Sequence, residues 1–453
     1  MSFTIDKQLV QRALSGHAAI GLLAGALLYL ISVTGVLLVF YDEWQRVEQP
    51  AAPEMSAVAP EAVARAAAEM LAREQKAGTP PTTHLYVHLP TGDLPRTTVI
   101  TDTQAAHADA SGRLVVSEQN AWADFLLHLH YRLHLPSTLG ITIVGALGVM
   151  MVALALSGVL AHPRIFRDAF RLRARSNGGV GIADWHNRLG VWTLPFAIAI
   201  ALTGAVIGLG SVVSYGLAEG FYKGEIERVY TPIFGKDAEV DPARAPLPDI
   251  AAALRTMEAR FPGVHPYYVI VHDPETRGQM VQIIAEHPRR LIYGENYYFD
   301  DTGRFTGSAG LADGKLGQQL AASNYHLHFG NYGGLPVKIV YALLGLALCV
   351  VTATGMSIWL GKRERRGVLQ PRLRGWWDGV VWGTPTVLAL CFVARIVLGN
   401  AAPLTAIFWI GLGLLLLAAT VAARWRPVKP MLQRACWLSA LAAFIAGLAA
   451  FIV

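Results

Sequence analysis

Residues 17–35, HAAIGLLAGALLYLISVTG, and residues 186–204, HNRLGVWTLPFAIAIALTG, carry one pattern twice. Each opens on a histidine, places a glycine four residues later and a Thr-Gly pair thirteen beyond that: His17, Gly21, Thr34 and Gly35, then His186, Gly190, Thr203 and Gly204. A second pair follows the same logic. His130, Gly148, Ser157 and Gly158 answer to His328, Gly345, Thr354 and Gly355, with the same spacing from the first glycine to the Ser/Thr-Gly pair. Four histidines in two matched pairs, in or beside apolar runs, point to two matched binding sites.

The apolar runs set the class. Hydrophobic residues make up 53% of the 453 positions and charged residues 15%. Seven stretches are long enough to cross a bilayer, which takes about 20 helical residues. They lie near 18–40, 138–161, 190–214, 335–360, 379–399, 403–423 and 435–453. The first is longer than the apolar core of a signal peptide and lacks a small-x-small cleavage site, so it is expected to remain as an anchor. The last three read as free of charged residues and histidine in their apolar cores, and as a scaffold.

Charge orients the spans. Residues 162–188 hold six Arg against two Asp, 361–378 six Lys/Arg against two acids, and 424–434 four basic residues and no acid. The long segments are acidic, with 7 basic and 12 acidic residues over 41–137 and 11 against 15 over 215–334. Short basic loops stay in the cytoplasm, so the N-terminus is expected inside and both long segments outside. The net charge of +6 belongs to that cytoplasmic face and calls for no nucleic acid. The three cysteines, Cys349, Cys391 and Cys436, all fall within spans and form no C-x-x-C-H. That argues against disulfides, iron–sulfur clusters and covalently attached haem.

The outer segments repeat as well. Residues 58–75 and 247–261 read as amphipathic helices, followed by strand-like runs at 84–89, 97–101, 267–272 and 280–285. Asp109 to Arg113 and Asp300 to Arg304 carry Asp and Gly in the places a hairpin turn requires. The expected fold is therefore a polytopic α-helical membrane protein with about seven transmembrane helices and two small periplasmic α+β lobes. Residues 1–161 form a first repeat, with its lobe at 41–137, and 162–362 a second, with its lobe at 215–334; residues 363–453 add three helices. Both repeats begin and end inside, so they relate by an axis along the membrane normal. His17 and His186 then become mates at the cytoplasmic side, and His130 and His328 mates at the outer side.

An isolated histidine at a helix end is most simply a capping or snorkelling residue. Two pairs in register shift the reading to ligation. Zinc calls for four ligands in tetrahedral array, and di-iron bundles for Glu-x-x-His motifs that are absent. Haem needs one or two axial imidazoles and a slot with little side-chain bulk, which Gly21, Ala24, Gly25, Gly145, Gly148, Gly204, Gly208 and Gly345 could supply. Close helix packing by small residues explains them equally well. Two non-covalent b-type haems fit best, on His17 with His186 and on His130 with His328. His134, His326 and His162 are the alternative ligands. His130 and His134 are spaced to share a helix face, whereas His326 and His328 are not.

The segments RALSGHAAIGLLAG with SVTGVLLVF, LHYRLHLP, DWHNRLGVW, and LHFGNYGGLP leading to TGMSIW resemble the PepSY-associated transmembrane family. These are iron-regulated inner-membrane proteins that include periplasmic ferric-siderophore reductases of the FoxB type. The resemblance covers about residues 10–362, and the outer segments are similar to PepSY-type lobes. It implies two haems, one near each membrane face, and electrons passed outward.

The function expected is an oxidoreductase, a ferric-siderophore reductase. Electrons arrive from a cytoplasmic or quinol donor, and periplasmic Fe(III)-siderophore is reduced to release Fe(II). Siderophores hold hard Fe(III) through oxygen donors, and Fe(II) ranks low in divalent affinity, so one-electron reduction loosens the complex. The rival readings are a non-redox membrane-anchored binding or regulatory protein and a siderophore or metal permease.

Overall fold

The computed structural model describes residues 6–170, 173, 179–235, 241–287, 291–292 and 294–452. Arg171 and Arg175 of the basic 162–188 stretch lie outside the described residues. In chain order the elements begin with α1 (Lys7–Leu38), α2 (Tyr41–Glu48), α3 (Pro60–Ala77), β1 (His84–His88), β2 (Thr97–Ile100), β3 (Ala105–Ala108), β4 (Leu114–Ser117), α4 (Ala121–Arg132) and α5 (Ser137–Ala161). Next come α6 (Val180–Trp192), α7 (Leu194–Phe221), α8 (Glu227–Phe234), α9 (Ile250–Arg260), β5 (His265–His272), β6 (Met280–Glu286), β7 (Glu295–Phe299) and β8 (Phe305–Ser308). The chain ends with α10 (Leu316–Phe329), α11 (Gly334–Glu364), α12 (Pro371–Asp378), a π-helical turn (Gly379–Gly383), α13 (Thr384–Leu398), α14 (Leu404–Ala422) and α15 (Lys429–Ile452).

Two compact units result, one from residues 1–48, 120–210 and 335–453, the other from 49–119 and 211–334. Seven helices among the described residues are long and apolar enough to cross a membrane: α1, α5, α7, α11, α12 running on into α13, α14 and α15. The chain is a polytopic helical membrane protein with a β-containing lobe.

In the helical unit, glycine sets how closely the spans approach. A Cβ on Gly145 of α5 would stand 2.8 Å from the backbone carbon of Gly208 on α7, and one on Gly148 would stand 2.8 Å from the Ala201 carbonyl oxygen. A Cβ on Gly345 would meet Val36 at 2.6 Å. Small residues there let backbones and side chains pack, so Gly145, Gly148, Gly208 and Gly345 serve helix contact rather than an open slot.

The C-terminal helices are tied into this packing. Trp377 is 1% exposed, lies against Gly25, and donates its indole N–H to the Ala353 carbonyl at 3.1 Å. The Tyr29 hydroxyl donates to the Val381 carbonyl at 2.7 Å. One expectation fails here. Arg395 lies inside α13, buried and ion-paired with Glu48, so the last spans are not free of charge.

In the second unit the two expected lobes share a single eight-stranded antiparallel sheet, ordered β4-β3-β2-β1-β5-β6-β7-β8. β1 and β5 form the seam, with His84 opposite His272 and His88 opposite Tyr268. Pairing them removes the inner edge that each four-stranded half would otherwise expose. Alternate residues of β1 and β6 are buried, and Val63, Met70, Ile250 and Met257 of α3 and α9 join Val87 and Ile283 in the core. Burying side chains of this size contributes roughly 1.5–3 kcal/mol apiece.

Both hairpin turns form. Asp109 accepts from the amides of Ser111 and Arg113, and Asp300 from those of Thr302 and Arg304. Gly112 and Gly303 take φ of 83° and 77°, a conformation natural to glycine.

Candidate cofactor site

The helical unit brings His17 of α1 and His186 of α6 together. Their ring centres are 6.2 Å apart and the ring planes stand at 87°. Each imidazole is held the same way. His17 donates Nδ1–H to the Leu154 carbonyl at 3.0 Å, with Ser157 Oγ at 3.2 Å. His186 donates Nδ1–H to the Val351 carbonyl at 2.9 Å, with Thr354 Oγ1 at 3.3 Å. A carbonyl can only accept, so both rings carry a proton on Nδ1, which in the neutral ring leaves Nε2 as a lone pair. No hydrogen bond engages either Nε2 among the described residues. Metal-ligating histidines characteristically donate their other ring N–H to a carbonyl or carboxylate in this manner.

The Ser/Thr-Gly pairs are the seats. The hydroxyls of Ser157 and Thr354 bond back to carbonyls of their own helices, at 2.6 Å to Ala153 and Val350, a local habit of Ser and Thr in helices. The glycine that follows leaves room for the ring. A Cβ on Gly158 would lie 3.3 Å from His17 Cε1, and one on Gly355 3.3 Å from His186 Cε1. His130 has a seat of the same design on α1: its Nδ1 lies 3.0 Å from Thr34 Oγ1, and a Cβ on Gly35 would come within 3.0 Å of its Cε1. Thr34 gives its own proton to the Leu30 carbonyl at 3.0 Å, so it accepts from His130. Thr203 makes the same back-bond, 2.7 Å to Ala199.

The remaining candidates are placed elsewhere. His134 does not share a helix face with His130. α4 stops at Arg132, and Leu133 and His134 both take φ of 55° ahead of Pro136. His134 donates Nε2–H to the Phe125 carbonyl at 3.0 Å, stacks on the Phe125 ring and lies 3.3 Å from Thr405 Oγ1. Burial lowers its pKa to about 4, so it is neutral. His128 and His134, with Asp124, Thr405 and Trp409, line a shallow open groove. His162 follows α5 as its cap and lies 3.3 Å from the Asn187 amide.

In the other unit, His326 and His328 lie on α10. His326 is buried and pairs with Asn331 Oδ1 at 2.6 Å, and His328 lies beside Phe329.

Sequence reasoning found the Ser/Thr-Gly pairs without their role as seats. It missed Asp184, a buried carboxylate two residues before His186 that Arg173 grips at 2.8 and 3.0 Å, with Arg188 at 3.9 Å. The arginine-rich stretch was its only signal.

Haem fits these residues. A metal-bound imidazole puts its nitrogen about 2 Å from the metal, and ring centres 6.2 Å apart leave room for one metal between His17 and His186. No cluster of three or more His, Cys, Asp or Glu that could hold a metal ion occurs among the described residues.

A family model for the PepSY-associated TM region matches residues 14–362, ending before α12. The chain is also similar to an uncharacterised protein of Pseudomonas aeruginosa, 28% identical over 275 residues that cover 57% of this chain and 69% of the relative.

Proposed function

The chain belongs to the PepSY-associated transmembrane family, and on that premise we propose that it is a di-haem electron carrier of the bacterial inner membrane that reduces periplasmic Fe(III)-siderophore. The observation that carries the reading is the His17–His186 pair, two imidazoles with ring centres 6.2 Å apart and both Nδ1–H groups committed to carbonyls. Bound haem supplies reversible one-electron transfer. His17 and His186 would bind it through Nε2, with the tautomer fixed by Leu154 and Val351 and the rings brought close by Gly158 and Gly355. His130, seated on Thr34 and Gly35, is the proposed ligand of the second haem.

The loop charges support an N-terminus in the cytoplasm and the lobe in the periplasm. Electrons then run from a cytoplasmic or quinol donor outward to an iron complex that loosens once reduced. The non-redox binding reading and the permease reading give the paired histidines no task.

The test is reoxidation. Dithionite-reduced, detergent-purified protein mixed with a ferric siderophore and a ferrous chelator is expected to lose its reduced absorbance as the Fe(II)–chelator complex appears. A reduced protein that no ferric complex reoxidises rules the substrate class out.

A further inference from the structure

The Glu48 carboxylate is fully buried in the helical unit, its side chain 0% exposed, and it faces Arg395, 6% exposed, with Nε 2.8 Å from Oε1. Both carboxylate oxygens also serve α4. Oε1 accepts from the Trp122 amide at 2.7 Å and Oε2 from the Ala123 amide at 2.9 Å. Asn120, the residue at α4's own N-cap, makes no side-chain capping bond. The first turn of a helix leaves amides without intrahelical partners, and its positive end favours an anion. Glu48 therefore caps α4 from the end of α2.

α4 carries His130, eight residues beyond Trp122 and about 12 Å along the helix axis. At that end His130 rests on Thr34 of α1. The α1–α2 arm thus grips α4 twice, by a carboxylate at its start and by a threonine seat at its histidine.

A carboxylate sealed from water is costly unless a cation faces it, and removing one partner of a buried pair leaves the other uncompensated. Burial does press the Glu48 carboxyl upward in pKa, against the pull of the two amides and Arg395. Arg395 comes from α13, beyond the residues matched by the family model.

We propose that Arg395 and Glu48 are positioning residues for His130: the added C-terminal helices supply the cation that keeps Glu48 ionised, and ionised Glu48 fixes the start of the helix that presents the histidine. This rests on the proposed haem ligation by His130. It gives α13 a role beyond lining the bilayer.

The experiment uses the full chain, purified with haem. The signal of the second haem is identified as the one lost in His130→Ala. Arg395→Met keeps the bulk and removes the charge. It is expected to shift the electron paramagnetic resonance signal and the reduction midpoint of that haem alone, leaving the His17–His186 haem as an internal sign of an intact core. Hydrogen exchange in the peptide covering residues 121–126 should quicken. Glu48→Gln combined with Arg395→Met should move both readouts back towards wild type, because a neutral amide oxygen can accept an α4 amide without a counter-charge. Unchanged signals and exchange in Arg395→Met overturn the proposal. So does an equal disturbance of both haems with no recovery in the double variant, which is general loosening. A wild-type protein that holds no haem overturns the proposed function, and with it this role.

Discussion

His17 and His186 stand with ring centres 6.2 Å apart, each hung by Nδ1 from a carbonyl one helical turn before a Ser/Thr-Gly pair. Four helices meet in that arrangement: α1 and α6 bring the rings, and α5 and α11 bring the seats. The pair should act as a unit. His17→Ala and His186→Ala are expected to lose the same haem and keep the other, read by difference spectra and haem content. His134→Ala and His162→Ala should keep both, since those rings are engaged elsewhere. Loss of a haem in His134→Ala with retention in His17→Ala would reverse the assignment.

Glycines at seats and glycines at crossings should respond differently to a methyl group. In Gly158→Ala or Gly355→Ala the new Cβ lies 3.3 Å from a ring carbon, which must give by a few tenths of an ångström. Haem transfer to an apo-globin acceptor should be severalfold faster, with protein yield unchanged. In Gly145→Ala the Cβ would lie 2.8 Å from backbone, so the helices must separate, at a cost of about 1–3 kcal/mol. A lower melting temperature in detergent should follow. Equal behaviour of the two classes would mean that the seats are ordinary packing contacts.

The lobe should weaken in mild acid. His107 is 1% exposed, bonded to Thr98 Oγ1 and to Gln49 Oε1, and its pKa falls from 6.5 to about 4 through burial first and then the charges of Arg96 and His88. The unfolded chain therefore takes up the proton before the folded one. The stability from keeping this ring neutral is whole above pH 6.5 and drains away as the pH falls to about 4. The loss amounts to about 3 kcal/mol at most. Hydrogen exchange of β2 and β3 should quicken over that window, and His107→Gln should flatten the dependence. A slope unchanged in His107→Gln assigns it to other groups.

Direction can be read in sealed vesicles. Right-side-out vesicles containing reduced protein should be reoxidised by a ferric siderophore added outside. Reaction only with siderophore on the cytoplasmic face contradicts the orientation drawn from the loop charges.

Legibility followed the range of each interaction. Spans such as Ser137–Ala161 are written in local hydropathy, and the hairpins at Asp109 and Asp300 in turn chemistry, so both can be read from a few neighbouring residues. The shared sheet cannot. β1 and β5 lie about 180 residues apart, and each reads alone as an ordinary alternating strand. The His17–His186 pairing is visible through the repeat, but the seats are not, because Ser157 receives a ring from another helix. Helical spacing does not place His134, because α4 ends at Arg132 and Leu133 turns left-handed. Arg395 was absorbed into an apolar run, since its partner Glu48 lies 347 positions away.

The most direct measurement is the haem content of the full chain, purified from haem-replete cells, by pyridine haemochrome assay with a dithionite-reduced minus oxidised spectrum. The account predicts about two b-type haems per chain, extractable by acid acetone because none of the three cysteines sits in a haem-attachment motif. A sample with no haem absorbance contradicts the central claim, and a single haem lost equally in His17→Ala and His130→Ala contradicts the two-site form of it.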